Sequence, residues 1–231
     1  MRKISAGQTV FFLLLLSLIV VLAIGSAAVL LGDVALGDFR GVALSGAALL
    51  LIYLYAFVVY RLFLACLPLR EGALAPGSRD EFVANVNILF YLLVFNSLIR
   101  SHVLPVPLLR LVYLALGARL GANSYSAGAI LDPPLTHIGR NTLIGHDAVI
   151  FAHVIEGHKM ELRSVHIGDG VTIGAMAIVM ADVHIGHDAI VSAGAVVTKG
   201  SRIGPGEVWG GMPARLLKKS ALAASERDPV R

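Results

Sequence analysis

IGDGVTIGAMAIVMADVHIGHDAIVSAGAVVTKGSRIG, residues 167–204, places an aliphatic residue at every sixth position. Ile167, Ile173, Val179, Ile185, Val191, Val197 and Ile203 hold the step without a slip, and Gly168, Gly174, Gly186 and Gly204 follow four of them. An amphipathic helix repeats every 3.6 residues and a half-buried strand every 2, so neither pattern predicts a period of six. A six-residue step describes a solenoid. Each short strand turns its aliphatic residue inward, the small residue permits the turn, and three strands complete a triangular coil. Stacked coils then bury one continuous apolar column.

The same step appears upstream as Ile138-Gly139, Ile144-Gly145 and Ile150, and the phrase Ile144-Gly-His-Asp-Ala148 returns as Ile185-Gly-His-Asp-Ala189. From Ile150 the next inward position falls at 156, yet the pattern restarts at Ile167. Eleven extra residues therefore leave the coil, at about 152–163. Insertions in a solenoid project from one face and commonly carry the binding site. This one contains His153, Glu156 and His158. The other histidines sit in repeat slots: His137, His166 and His184 each precede an Ile-Gly pair, and His146 and His187 share one position, which marks them as surface features of the coil.

The N-terminal part obeys different physics. Hydrophobic residues make up 57% of the 231 and charged residues 15%, against about 45–50% and 25% in an ordinary soluble domain. Residues 10–31 carry no charge, long enough at about 1.5 Å per residue to span the bilayer hydrocarbon, and too long for the apolar core of a signal peptide. A second uncharged run covers residues 42–60, with its helix continuing to about 67. Tyr53, Tyr55 and Tyr60 crowd its far end. Arg2 and Lys3 precede the pair and Arg61, Arg70 and Arg79 follow it, which predicts both ends in the cytoplasm. Residues 82–99 are also uncharged, but Asn85, Asn87 and Asn96 make insertion costly, so this stretch reads as an interfacial or re-entrant helix. Beyond Pro105 and Pro107, the residues Leu108, Leu109, Val112, Tyr113 and Leu116 recur at helical spacing opposite Arg110, which predicts a short amphipathic helix on the membrane. The expected organisation is two transmembrane helices in 1–81, interfacial or re-entrant helices in 82–121, a parallel β-helix in 122–219 and a tail in 220–231. The fold class is membrane α plus β.

The net charge is +4, and Lys199, Arg202, Arg215, Lys218 and Lys219 gather towards the C-terminus, which suits an anionic ligand or an anionic membrane surface. No nucleic-acid partner is expected. The single cysteine, Cys66, rules out an intrachain disulfide framework.

The repeats, from a leading segment Tyr113-Leu-Ala-Leu-Gly-Ala-Arg-Leu-Gly121 to a closing segment Trp209-Gly-Gly-Met-Pro-Ala-Arg215, resemble the hexapeptide-repeat acyltransferases. Within that family they resemble membrane-linked acetyltransferases of surface-polysaccharide pathways and the β-helix regions of ε-poly-lysine synthetase. The resemblance implies a left-handed β-helix, a homotrimer and an acyl-CoA co-substrate, acetyl-CoA foremost, with no metal. It makes His153 the general base where the coil opens, with Glu156 three residues on to orient it. It assigns the oxyanion donor to Gly174 and Ala175, and coenzyme A to a groove beside Ala193, Gly194, Lys199 and Arg215. The expected protein acylates a membrane-associated acceptor, such as a lipid-linked sugar, at the cytoplasmic face of the inner membrane. Two alternatives stay open: a β-helix metal enzyme of carbonic anhydrase type, suggested by the His153–His158 spacing, and a non-catalytic membrane scaffold.

Overall fold

The computed structural model describes residues 4–35, 37–101 and 103–219. Arg2, Lys3 and the tail 220–231 lie outside the described residues. The chain divides into two compact units, Met1–Leu69 with Pro76–Ser97, and Arg70–Ala75 with the rest from Leu98.

The first unit is helical. Ser5 begins α1 (Ala6–Leu31) with a reciprocal capping box to Gln8. Then come α2 (Arg40–Cys66) and, after a strand described below, α3 (Arg79–Phe90), capped by Ser78. α3 continues through a π-helical turn, Tyr91–Phe95, into α4 (Asn96–Arg100). Among the described residues, three stretches, Ala6–Leu31, Gly37–Cys66 and Arg79–Arg100, are long and apolar enough to cross a membrane by length and composition. The third is the stretch read as interfacial or re-entrant, and two of its asparagines find partners inside the bundle. Asn87 Oδ1 accepts the Tyr60 hydroxyl at 2.8 Å, and Asn85 Nδ2 donates to Gln8 Oε1 at 3.2 Å, both buried. Partners inside the bundle remove much of the desolvation cost that unpaired amides would carry. Phe95 stacks on Phe57 with centroids 5.1 Å apart, and Ser97 meets Tyr53 at 3.2 Å, so this helix runs antiparallel along the C-terminal half of α2.

The second unit is the β-helix that the period of six predicts. One face stacks β2 (Arg119–Leu120), β5 (Thr136–Ile138), β10 (Val165–Ile167), β13 (His184–Ile185) and β16 (Arg202–Ile203). A second stacks β3 (Tyr125–Ser126), β6 (Leu143–Ile144), β11 (Thr172–Ile173), β14 (Ile190–Val191) and β17 (Val208–Gly210), edged by antiparallel β18 (Arg215–Lys218). The third stacks β4 (Ala129–Ile130), β7 (Val149–Ile150), β12 (Ile178–Val179) and β15 (Val196–Val197). Pairing is parallel and in register, so each inward aliphatic sits on the next: Ile138, Ile167, Ile185 and Ile203 form one buried column. Such burial is worth about 1.5–3 kcal/mol per side chain. Trp209 takes the same register position above Val191 and donates its indole N–H to Glu207 at 2.8 Å.

The insertion is a β-hairpin rather than an open loop. β8 (His153–Glu156) and β9 (Lys159–Leu162) pair antiparallel, and Gly157 turns between them at φ 59°. A further strand, β1 (Gly72–Ala73), from the segment between α2 and α3, adds to the open edge of β9. Glu71 beside it accepts from both the backbone N–H and the hydroxyl of Ser164, and that hydroxyl hydrogen bond holds the Glu71 carboxyl below its ordinary pKa. Residues 70–75, expected in the membrane segment, therefore belong to the β-helix unit.

Across the first coil lies α5 (Val106–Ala115). Leu109, Val112 and Tyr113 are buried on it; the Tyr113 hydroxyl donates to Gly128 O at 2.6 Å and accepts from the Ile130 N–H at 3.3 Å, while Arg110 donates to Ser124 O at 2.6 Å. Most of the apolar residues that the sequence reading gave to the membrane instead close the end of the column, which would otherwise be open to water.

Two predictions follow from the stacking. A Cβ at Gly128 would run into the Ala148 carbonyl, so Gly128→Ala should cost about 2 kcal/mol and lower the thermal midpoint in a detergent melt. The first face also aligns His137, His166 and His184, with centroid spacings of 4.6 and 4.8 Å, between Arg119 and Arg202. Burial first, then neighbouring positive groups, lower the pKa of His137 and of His166, with Glu71 opposing. A histidine whose folded pKa lies below its unfolded value, about 6.5, stabilises above that pH and loses the contribution as pH falls. The thermal midpoint should drop on going from pH 7 to pH 5, and His166→Asn should make the drop shallower.

Candidate active site

Each coil runs first face, second face, third face, so the chain turns three corners per coil. His153 stands where the hairpin leaves the corner between the third and first faces. One coil earlier, the same corner holds Asp132 between β4 and β5. Its carboxylate is 2% exposed, and Oδ2 faces His153 Nδ1 at 2.6 Å while accepting the backbone N–H groups of Ala152 at 2.8 Å and His153 at 3.2 Å. A buried acceptor fixed by two backbone donors orients the ring with Nδ1 protonated and leaves Nε2 with its lone pair. The Phe151 ring lies beside the imidazole with centroids 5.6 Å apart.

Burial works against the charged imidazole, but the hydrogen bond and the charge of Asp132 outweigh it, and the His153 pKa lies above the ordinary histidine value. The pair is a base held by a carboxylate, with the proton-accepting nitrogen free to receive from a substrate.

Asp132 is the residue that sequence reading missed, and Glu156 is the one it put in that place. Three residues along a strand point to opposite faces, and Glu156 pairs across the hairpin with Lys159, exposed and away from the His153 ring. His158 lies in the turn at the hairpin tip.

Lys199 is on the same corner as His153, two coils further along, and its ammonium is paired with Glu161 of β9, which raises its pKa. Gly174, Ala175, Ala193 and Gly194 are elsewhere. They stack on the corner between the second and third faces, so tightly that a Cβ at Gly174 would strike the Ala193 backbone. Met176, on the same corner, takes a left-handed φ of 59° with its side chain 66% exposed, in the turn position that Gly194 fills one coil on. Arg215 begins β18, beyond the last coil, and donates to its own neighbour's carbonyl, Ala214 O, at 3.1 Å. One chain thus brings His153, Asp132 and Lys199 to one corner and the small-residue stack to another.

Comparisons with known proteins agree with this architecture. The family model for bacterial transferase hexapeptide (six repeats) matches residues 164–199. Over 102 residues the chain is 37% identical to the mitochondrial gamma carbonic anhydrase 1 of Arabidopsis thaliana, covering 42% of this chain and 37% of that protein. Over 88 residues it is 39% identical to the putative acetyltransferase YvoF of Bacillus subtilis strain 168, covering 38% of this chain and 50% of that protein. A hexapeptide-repeat acetyltransferase of Vibrio cholerae, solved in complex with acetyl coenzyme A, is 25% identical at a TM-score of 0.42, over 45% of this chain and 60% of that one. The chain spans between about a third and a half of the length of the curated relatives it matches. Its repeat region is a hexapeptide-repeat β-helix.

Proposed function

We propose that the protein is an acyl-CoA-dependent acyltransferase, with acetyl-CoA the favoured donor, that acylates a hydroxyl or amine on a membrane-associated acceptor. The observation that carries this reading is the His153–Asp132 pair at the mouth of the hairpin. His153 Nε2 takes the acceptor proton as the acceptor oxygen or nitrogen attacks the thioester carbonyl. The tetrahedral intermediate collapses with cleavage of the C–S bond, and the imidazolium returns its proton to the departing thiolate. No acyl-enzyme forms. General-base help of this kind contributes about 10²–10⁴-fold. Asp132 is a positioning residue that fixes the tautomer and supports the imidazolium.

The small-residue corner suits the thioester, because Gly174, Ala175, Ala193 and Gly194 leave backbone open to close approach. It lies on another corner from His153, so a site using both is completed by a second copy, in keeping with the trimer that the family resemblance implies. For Lys199 to hold a coenzyme A phosphate it must exchange Glu161 for the phosphate, and Arg215, whose guanidinium donates to Ala214 O, is a further cation nearer the last coil. The long apolar helices support membrane anchoring. The basic residues beyond Arg100 support the cytoplasmic side, where acyl-CoA is made.

The identity to a gamma carbonic anhydrase favours one alternative, a zinc hydratase. A carboxylate behind a histidine is also how zinc-bound histidines are held. Among the described residues, however, no three of His, Cys, Asp or Glu converge to hold a metal ion. The remaining ligands would have to come from another copy.

The test is transfer from acetyl-CoA by the detergent-purified full chain, read as free thiol released with and without acceptor extracts, beside metal analysis and CO2 hydration. His153→Ala should lower kcat by about 10²–10⁴-fold with acetyl-CoA binding retained. Because the base must be neutral and its pKa is raised, kcat/KM should climb through a pH above about 6.5. Asp132→Asn should lower the plateau and move that rise to lower pH. Stoichiometric zinc with CO2 hydration and no acetyl-CoA binding would replace this reading with the alternative.

A further inference from the structure

On the first face of the β-helix, the residue before each inward aliphatic points outward, and in all five strands it is basic. Arg119, His137, His166, His184 and Arg202 pair in register as one column. The same outward slot holds no charged residue on either of the other two faces. At about 4.8 Å per coil the column runs roughly 19 Å along the axis. Like charges directly opposite one another destabilise a sheet, so a file of basic side chains calls for an anion to offset it. The chain itself supplies little. Asp182 pairs with Arg202 at 3.0 Å, and Glu71, the acid beside His137 and His166, is already held by the hydroxyl and N–H of Ser164. Arg119 is exposed and has no ion-pair or hydrogen-bond partner among the described residues. The column lines a groove of about 500 Å³, and among the described residues no acid lines it.

His137 and His166 add a chemical condition. Their Nδ1 atoms face each other at 3.2 Å, where one must donate and the other accept, so the contact holds a single proton. A second proton would set two donors against each other, and each N–H would need a new acceptor. Burial first opposes that proton, then His166 and Arg119 for His137, and His184, Arg119 and Arg202 for His166; Glu71 favours it. We infer that this groove binds linked phosphates, a diphosphate or longer, lying along the column between Arg119 and Arg202, and that the histidines take up protons as it binds. Guanidinium and imidazolium groups form strong charge-assisted bonds to phosphate oxygens. Here they stand in line rather than converging, which suits several charges in a row over one compact ion. Single-stranded nucleic acid also carries phosphates in a row, but it is held by aromatic platforms for its bases, and among the described residues no Phe, Tyr or Trp lines the groove. The phosphates have two sources, a soluble phosphate ester or anhydride and the diphosphate head of a prenyl lipid. The site shares no residue with the Asp132–His153 pair and does not rest on the acyl-transfer reading.

The experiment is calorimetric titration of inorganic pyrophosphate, with EDTA present, into the detergent-purified full chain at pH 8 and pH 6. Each proton taken up on binding raises affinity by up to about tenfold per pH unit, and protonation of pyrophosphate itself works the other way. Binding should therefore be at least about tenfold tighter at pH 6. Arg119→Gln, at an exposed position, should weaken it about tenfold at both pH values. His166→Asn should flatten the pH dependence, and Lys159→Gln, at the hairpin and outside the groove, should change neither. Geranyl diphosphate titrated in the same way separates the sources: tighter binding than pyrophosphate assigns the groove to a lipid head, equal or weaker binding to a soluble phosphate. Absence of pyrophosphate binding, or binding indifferent to pH and to Arg119→Gln, would overturn the inference. Tighter binding of an oligothymidylate than of pyrophosphate would overturn it too, in favour of nucleic acid. The readout needs no turnover, so its failure leaves the acyl-transfer chemistry standing, and failure of that chemistry leaves this site standing.

Discussion

The spacing between coils is the constraint from which the rest follows. Parallel strands stacked about 4.8 Å apart bring each corner of the chain against the corner above it, leaving room for little more than backbone. Gly145 shows the consequence, since a Cβ there would lie 2.6 Å from the Ala175 nitrogen. The inward aliphatic residues can then form one column because nothing at the corners props the coils apart. Where a coil must do something other than turn, the chain leaves the stack, as it does at 153–162. A reactive group belongs at such an exit, because there the rigid column ends and a side chain gains both support and access.

Asp132 and His153 use that geometry. The carboxylate comes from the corner one coil earlier, where two backbone N–H groups from the beginning of the hairpin fix it. The same bonds that start the hairpin thus hold the base. The far edge of the hairpin is joined by β1, and Lys199 ties it back to the column through Glu161. The chain between α2 and α3 thus supplies a strand to the hairpin that carries His153.

Much of this was readable in the residues, and the failures share a cause. The period of six located the strands, the inward column and the residues that leave it, because those features depend on neighbours along the chain. His153 stood out because the repeat broke beside it. Asp132 did not: it is 21 residues earlier, and only the stacking of coils brings it near. Glu156 attracted attention by nearness in sequence, and strand alternation sends it to the other side. The apolar residues of α5 were correctly seen as a stripe but given to lipid, when most of them bury on the coil and the opposite side is left exposed. Asn85 and Asn87 looked costly to insert because their partners, Gln8 and Tyr60, lie 77 and 27 residues away. Sequence spacing exposes local periodicity; it does not expose which distant group satisfies a polar atom.

The central claim is that Asp132 holds His153 as a neutral base with its free lone pair on Nε2. Nitrogen-15 NMR of histidine-labelled protein, with His153 assigned by its loss in His153→Ala, measures this directly. The account predicts the Nδ1–H tautomer at pH 8 and a titration above the ordinary histidine value of about 6.5, falling in Asp132→Asn. An Nε2–H tautomer, or a His153 that titrates at or below 6.5 and ignores Asp132→Asn, would contradict it.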